Sequence, residues 1–188
     1  MIRIGILGDI GSGKSYIANS FGYPVFNADY QVKKIYKKNI NCFRKLNRKF
    51  PNNIKSFPII KSEIKKILNK KNIIILSKIV HPYVRHELIK FLKKNHSKKY
   101  VILDIPLMIE NKLNRKSDIL IYVKTSRSII LKRLKKRGNY NKKIINILKT
   151  KQINTKKKIK LANFIIYNNL NKKNVLNHIN QIKKKFND

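Results

Sequence analysis

The sequence predicts an α/β fold in which a parallel five-stranded sheet is flanked by helices. Three observations carry this reading: five short apolar runs of strand length, amphipathic helical patterns between and after them, and a glycine-rich turn that joins the first strand to the first helix. Short apolar strands alternating with such helices indicate a parallel sheet.

The first strand is Ile2-Arg3-Ile4-Gly5-Ile6-Leu7, an apolar run that reads as buried. Lys14 to Phe21 then reads as a helix, with Ile17, Ala18 and Phe21 on one side and Gly22 as its stop. The other strands are Pro24-Val25-Phe26, Tyr100-Val101-Ile102-Leu103, Ile119-Leu120-Ile121-Tyr122-Val123 and Phe164-Ile165-Ile166. Helical spacing marks residues 126–137 through Ile129, Ile130, Leu131 and Leu134, and the last segment through Val175, Leu176, Ile179 and Ile182. Two stretches break the alternation. Residues 29–95 read as helical without a clear strand, and Val84, Leu88, Phe91 and Leu92 form one apolar face there. That helix is expected to start at His81-Pro82, with proline in the first turn. Residues 133–158 are rich in Arg and Lys and contain Gly138-Asn139, a bend. In a phosphoryl-transfer enzyme such insertions suit an acceptor-binding domain and a closing lid.

The turn after the first strand is Gly8-Asp9-Ile10-Gly11-Ser12-Gly13-Lys14-Ser15. It fits the phosphate-binding loop G-x-x-x-x-G-K-[ST] of ATP- and GTP-using proteins, so the sheet is expected to be a P-loop NTPase core. Glycines let backbone N–H groups turn toward a polyphosphate. Lys14 can reach the β- and γ-phosphates, and Ser15 supplies a hydroxyl for Mg²⁺. The helix that follows sets its positive N-terminus against the phosphates. Gly11, Ser12, Gly13, Lys14, Ser15 and Tyr16 are therefore the candidate ATP contacts. Asp9 is out of place in such a loop, because it adds negative charge beside bound phosphates; its side chain is expected to point away from them.

The formal net charge is +38, which by itself suggests nucleic acid or an anionic membrane. The basic residues are 38 Lys and only 8 Arg, and they travel with 24 Asn and 33 Ile, the mixture that A/T-rich codons produce. Nucleic-acid sites favour arginine interleaved with aromatics or glycine. The lysines here are spread over polar helical faces, as in Lys33-Lys34, Lys65-Lys66 and Lys156-Lys157-Lys158, so they read as solvated and no specific nucleic-acid partner is expected. One cysteine, Cys42, excludes an internal disulfide and fits a reducing compartment. With a strand beginning at residue 2 and no apolar run of membrane-spanning length, a soluble cytoplasmic protein is expected, a monomer or weak homo-oligomer.

Only eight acidic residues exist. Asp29 follows the second strand in Phe26-Asn27-Ala28-Asp29, and groups past the carboxyl ends of parallel strands face the ligand crevice. It can take a proton from an acceptor hydroxyl, and it also suits the N-cap of a helix beginning at Tyr30. Asp104 ends the third strand and is a candidate for the metal side of the site. Glu110 and Asp118 read as capping or surface groups, Glu110 being the better functional candidate. Arg133 and Arg137 lie four apart on one helix face, and their planar guanidinium groups match a phosphoryl group in flight. No His, Cys and Asp cluster has metal-ligand spacing.

Taken together, the chain resembles the dephospho-CoA kinase family nearly end to end. The resemblance rests on the loop from Gly8 to Ser15, on Asn27-Ala28-Asp29, and on Val80-His81-Pro82-Tyr83-Val84-Arg85. It continues through Asp104-Ile105-Pro106-Leu107-Met108-Ile109-Glu110, Gln152, and Ala162-Asn163-Phe164-Ile165-Ile166-Tyr167-Asn168. It implies a nucleotide-binding core (1–28, 96–132 and 159–188), a helical acceptor-binding subdomain (29–95) and a lid (133–158). It also implies transfer of the ATP γ-phosphate to the ribose 3′-hydroxyl of dephospho-CoA, the last step of coenzyme A synthesis. Within that resemblance Asp29 matches the acid that serves as general base, and Lys14 and Ser15 match the ATP and Mg²⁺ site. Arg133 and Arg137 fall in the lid, Asn168 near the adenine pocket, and His81, Pro82, Arg85 and Pro106 on the acceptor side. The family usually has Thr-Gly-Gly where this chain has Leu7-Gly8-Asp9, and acids where it has Asn27 and Asn163. Two other readings share the loop: a nucleoside or nucleoside-monophosphate kinase, and an RNA-binding P-loop ATPase whose charge is its main function.

Overall fold

The computed structural model describes residues 1–136, 142–169 and 171–186. All five apolar runs form strands: β1 (Ile2–Gly8), β2 (Val25–Asn27), β3 (Tyr100–Asp104), β4 (Ile119–Lys124) and β5 (Phe164–Tyr167). They make one sheet in the order β2-β3-β1-β4-β5, and every pair is parallel. In chain order the helices are α1 (Lys14–Ser20), α2 (Ala28–Lys38), α3 (Ile40–Lys49), α4 (Lys61–Ile67), α5 (Lys70–Lys94), α6 (Arg127–Lys136), α7 (Lys142–Thr150), α8 (Thr155–Leu161) and α9 (Lys172–Lys184).

The chain divides into two compact units, Met1–Asn27 with Ser97–Asp188, and Ala28–His96. The first holds the sheet. Ile4, Ile6, Ile102, Ile121, Val123 and Ile166 form its buried surface, and Ile17, Ala18 and Phe21 of α1 pack on it with Val175, Ile179 and Ile182 of α9. The central strands β1, β3 and β4, buried almost throughout, are what a sheet covered by helices requires. The register sets Asn27 beside Asp104 and Gly8 beside Val123, so the strand ends carrying polar groups lie along the carboxyl edge.

The second unit is helical, with no strand among its residues. Ile35, Cys42, Leu46, Ile54, Ile59, Ile67, Leu76 and Val80 make its core. Cys42 is a fully buried member of that core.

Most boundaries fall within a residue of expectation, and three differences have an identifiable cause or consequence. Strand β2 starts and ends one residue later than the apolar run, since Val25 pairs with Ile102 and Asn27 with Asp104. Pro24, which lacks an N–H, joins the ladder only by accepting from the Ile102 N–H at 2.8 Å. Helix α2 begins at Ala28 with no gap after the strand, so Asp29 sits within its first turn and is not the N-cap of a helix starting at Tyr30. The helix expected to begin at His81-Pro82 instead begins eleven residues earlier, at Lys70, capped by the Asn69 side chain accepting from the Asn72 N–H at 2.8 Å. Pro82 lies inside this 25-residue helix. The missing proline hydrogen bond is outweighed by packing, because Leu76, Val80 and Leu88 hold one buried stripe on both sides of it.

Candidate active site

Strand β1 delivers the chain into the glycine-rich turn, and α1 carries it out. Gly11 and Gly13 both have left-handed backbones, φ 86° and 90°, which L side chains rarely adopt. A side chain at Gly11 would also press on Ile130 and Leu134 of α6. Ser12, between the two glycines, is buried, and its carbonyl is held by three donors: Thr125 Oγ1 at 3.0 Å, Arg133 Nη1 at 3.0 Å and Asn168 Nδ2 at 2.8 Å. Arg133 Nη2 reaches Asn168 as well, its Oδ1 at 3.2 Å and its carbonyl at 3.3 Å. The loop backbone is thus clamped from α6 and from the residue after β5, and the Arg133 guanidinium, expected to meet the phosphoryl group in flight, is instead engaged on that backbone. Successive N–H groups around positive-φ glycines make an anion-binding concavity, and the start of α1 adds its dipole. Across this loop lies the Lys14 ammonium, donating to the carbonyls of Gly8 at 3.1 Å and Asp9 at 3.0 Å.

Beside it, parallel register pairs Asn27 with Asp104, and the first turn of α1 sets Ser15 against them. The Asn27 amide donates to Asp104 Oδ2 at 2.6 Å and to Ser15 Oγ at 3.4 Å. Asp104 is almost fully buried. A hydroxyl and a carboxylate joined in this way are the hard oxygen donors that a small divalent cation takes when phosphates and water complete its shell. Among the described residues no group of three or more His, Cys, Asp or Glu could hold a metal.

Asp9 is turned toward β4 and α8, as expected of a carboxylate that must avoid phosphates. Tyr122 donates to its Oδ2 at 3.2 Å, Thr155 Oγ1 stands at 3.3 and 3.4 Å from its two oxygens, and Lys158 Nζ is 3.4 Å from Oδ1. Burial, with the negative Asp9 adding to it, pushes the Tyr122 hydroxyl up to about 12, so it stays a donor. Lys158 is also 3.8 Å from Glu110 Oε1, which accepts the Ile153 N–H at 3.0 Å. This lysine corrects the reading of 156–158 as a solvated run: it is 3% exposed, while its two predecessors are exposed. Lys158, Thr155 and Tyr122 were not among the candidate residues. The one signal for them was Asp9 itself, a loop carboxylate in need of a counter-charge.

The remaining candidates are dispersed. Tyr16 is exposed on α1, Pro106 half-buried after β3, and Asn168 buried against the loop. In the helical unit Asp29 is exposed in the first turn of α2, and His81, Pro82 and Arg85 lie along α5. Burial, and then the positive charge of Arg85, hold His81 below the usual imidazole range. Asp118 is not a surface group: its carboxylate is buried and pairs with Arg3 at 2.8 Å. Arg137 and the Gly138-Asn139 bend lie outside the described residues.

The family model for dephospho-CoA kinase matches residues 2–174. The dephospho-CoA kinase of Ehrlichia canis is 31% identical over 97% of this chain and 94% of its own. A solved structure from Thermus thermophilus superposes with a TM-score of 0.79 at 24% identity, covering 98% of this chain and 97% of that one. Dephospho-CoA kinase from Campylobacter jejuni gives 0.63 at 24% identity, over 97% and 96% of the two chains. At that identity the two structures speak for the fold.

Proposed function

The chain belongs to the dephospho-CoA kinase family, and from that premise we propose how its own residues carry the γ-phosphoryl group of ATP to the ribose 3′-hydroxyl of dephospho-CoA. The activity is a phosphotransfer that turns dephospho-CoA into coenzyme A, with ATP as donor. The observation that carries the reading is the clamped loop, where Lys14 lies across the backbone and three donors fix the Ser12 carbonyl.

The loop N–H groups and the start of α1 hold the β- and γ-phosphates, and Lys14 leaves its two carbonyl partners to pair with them. Arg133 and Asn168 keep the loop in shape, Asn168 standing on the adenine side. Ser15 Oγ and Asp104 would hold Mg²⁺, which when bound neutralises charge on the β- and γ-phosphates. Asp29 orients the 3′-hydroxyl and takes its proton late, after the bond to the leaving oxygen has loosened. Arg137 meets the charge spread over the transferred group. Residues 29–95, with His81, Pro82 and Arg85, bind the acceptor together with Pro106; residues 133–158 serve as a lid that excludes water.

Small molecules are the expected partners, with the protein a monomer or weak homo-oligomer. Among the described residues no helix is long and apolar enough to cross a membrane. Burial pushes the free Cys42 thiol up to about 11, against the pull of Lys45, and a thiol so protected fits a cytoplasmic enzyme. The deciding experiment is ADP release from ATP with dephospho-CoA, adenosine and AMP as parallel acceptors. Turnover with dephospho-CoA alone is expected; preference for adenosine or AMP, or stimulation by RNA in place of any acceptor, would sink the assignment.

A further inference from the structure

Lys158 and Asp9 form a pair that the phosphotransfer chemistry above does not use. Asp9 stands inside the loop that must receive a polyanion, where an uncompensated carboxylate repels the ligand and competes for its cation. Lys158 is among the least exposed lysines of the chain, and a buried ammonium persists only with partners. It has two: Asp9 Oδ1 at 3.4 Å from the loop, and Glu110 Oε1 at 3.8 Å from the segment after β3. Gly8, Lys14, Glu110, Gln152 and Lys158 line one cleft, so the pair lies next to the lysine that meets ATP.

We infer that Lys158 is a positioning residue for ATP, acting through Asp9. Its ammonium neutralises the Asp9 carboxylate and, together with Tyr122 and Thr155, keeps it turned toward β4 and α8. The alternative partner for that carboxylate is close. Lys14 Nζ already lies 3.0 Å from the Asp9 carbonyl, so an Asp9 side chain released from Lys158 can swing onto Lys14 and occupy it. The phosphates would then have to displace a carboxylate from Lys14 as well as enter the field of a naked charge. In this chain the extra acid in the loop and the buried lysine of α8 are therefore one device, and each is costly without the other.

The inference rests on ATP occupying the loop, and the test separates the two. ATP binding by the intact chain is measured first; a wild-type protein that fails to bind ATP defeats the loop reading itself. Lys158→Met keeps the apolar stem and removes the charge. It is expected to weaken ATP binding and raise KM for ATP about 10-fold or more, while KM for dephospho-CoA changes less than about 2-fold. Lys158→Arg is expected to retain ATP binding. The Asp9→Asn/Lys158→Met double variant is expected to return to within about 3-fold of wild type, since no carboxylate then remains within the loop to face the phosphates. Equal losses toward both substrates, or a double variant no better than Lys158→Met, would overturn the inference. If Lys158→Met does not fold, Lys158→Gln set against Lys158→Arg decides: ATP binding kept by Arg and weakened about 10-fold by Gln supports the inference, and equal binding by the two rejects it.

Discussion

Arg133 and Asn168 converge on one atom, the carbonyl oxygen of Ser12, with donor distances of 3.0 and 2.8 Å. They also hold each other, through Arg133 Nη2 and Asn168 Oδ1 at 3.2 Å. A carbonyl fixed in this way sets the Ser12–Gly13 peptide plane, and with it the direction of the Gly13 N–H, one of the groups proposed to meet the phosphates. Arg133→Met and Asn168→Ala should each raise KM for ATP about 10-fold, within the range for losing a charge-assisted hydrogen bond. Because each residue supports the other, the double variant should lose much less than the product of the two single effects. Steady-state kinetics at saturating dephospho-CoA check this, and strictly multiplicative losses would show that the two residues act independently.

Lys14 and Asp29 should fail in different ways. Lys14→Ala removes the ammonium proposed to meet the β- and γ-phosphates, so ATP affinity and turnover should both fall, turnover by at least ~100-fold. Asp29 is exposed in the first turn of α2, so its replacement by Asn leaves the helical core intact. Asp29→Asn should lower turnover by at least ~100-fold while ATP binding stays near wild type. A folded Asp29→Asn protein with near-normal turnover would remove Asp29 from the role of base.

Asn27 stands where a second carboxylate would face Asp104. The amide now donates to Asp104 at 2.6 Å, and Asn27→Asp would replace that bond with two like charges at the same spacing. One carboxyl must then bind a proton or a cation. Asn27→Asp should lower stability by about 1–3 kcal/mol in chelator, a fall in melting temperature of several degrees for a chain of this size. Millimolar Mg²⁺ should restore most of the loss, and should shift the wild-type protein less. Thermal melts with and without Mg²⁺ measure both, and a deficit untouched by the cation would argue against a metal site at Ser15 and Asp104.

What could be read in the sequence was local. The strands are apolar runs, the central three buried almost throughout, and the loop advertises itself because its glycines and its lysine are adjacent in the chain. Pro82 misled because a proline rule describes an isolated helix, whereas α5 is held by Leu76 and Val80 packing on the rest of its unit. Asp118 looked like a surface acid because its partner, Arg3, is 115 residues away. The pairing of Asn27 with Asp104 depends on strand register, which neither segment encodes alone. Lys158 was hidden among three consecutive lysines; only the placement of α8 decides which of them turns inward.

Glu63 gives a prediction about pH. It is buried in α4, and its Oε1 accepts the N–H groups of Lys55 at 3.0 Å and Ser56 at 3.1 Å, pinning the chain that leads from α3 into α4. Burial opposes its ionisation, but the Lys55, Ser56 and Ile60 N–H groups and the Ser56 hydroxyl together outweigh burial, and the carboxyl lies below its usual range. A carboxyl with a lower pKa folded than unfolded binds fewer protons in the native state. Its contribution is therefore complete above the unfolded value, about 4.3, and is lost as pH falls through the folded one. Glu63→Gln should accordingly lower the urea midpoint at pH 7, and the gap from wild type should close progressively below about pH 4.3. Unfolding curves at pH 7, 5, 4 and 3 provide the comparison. A gap of constant size across that series would mean that Glu63 acts through its shape and not its charge.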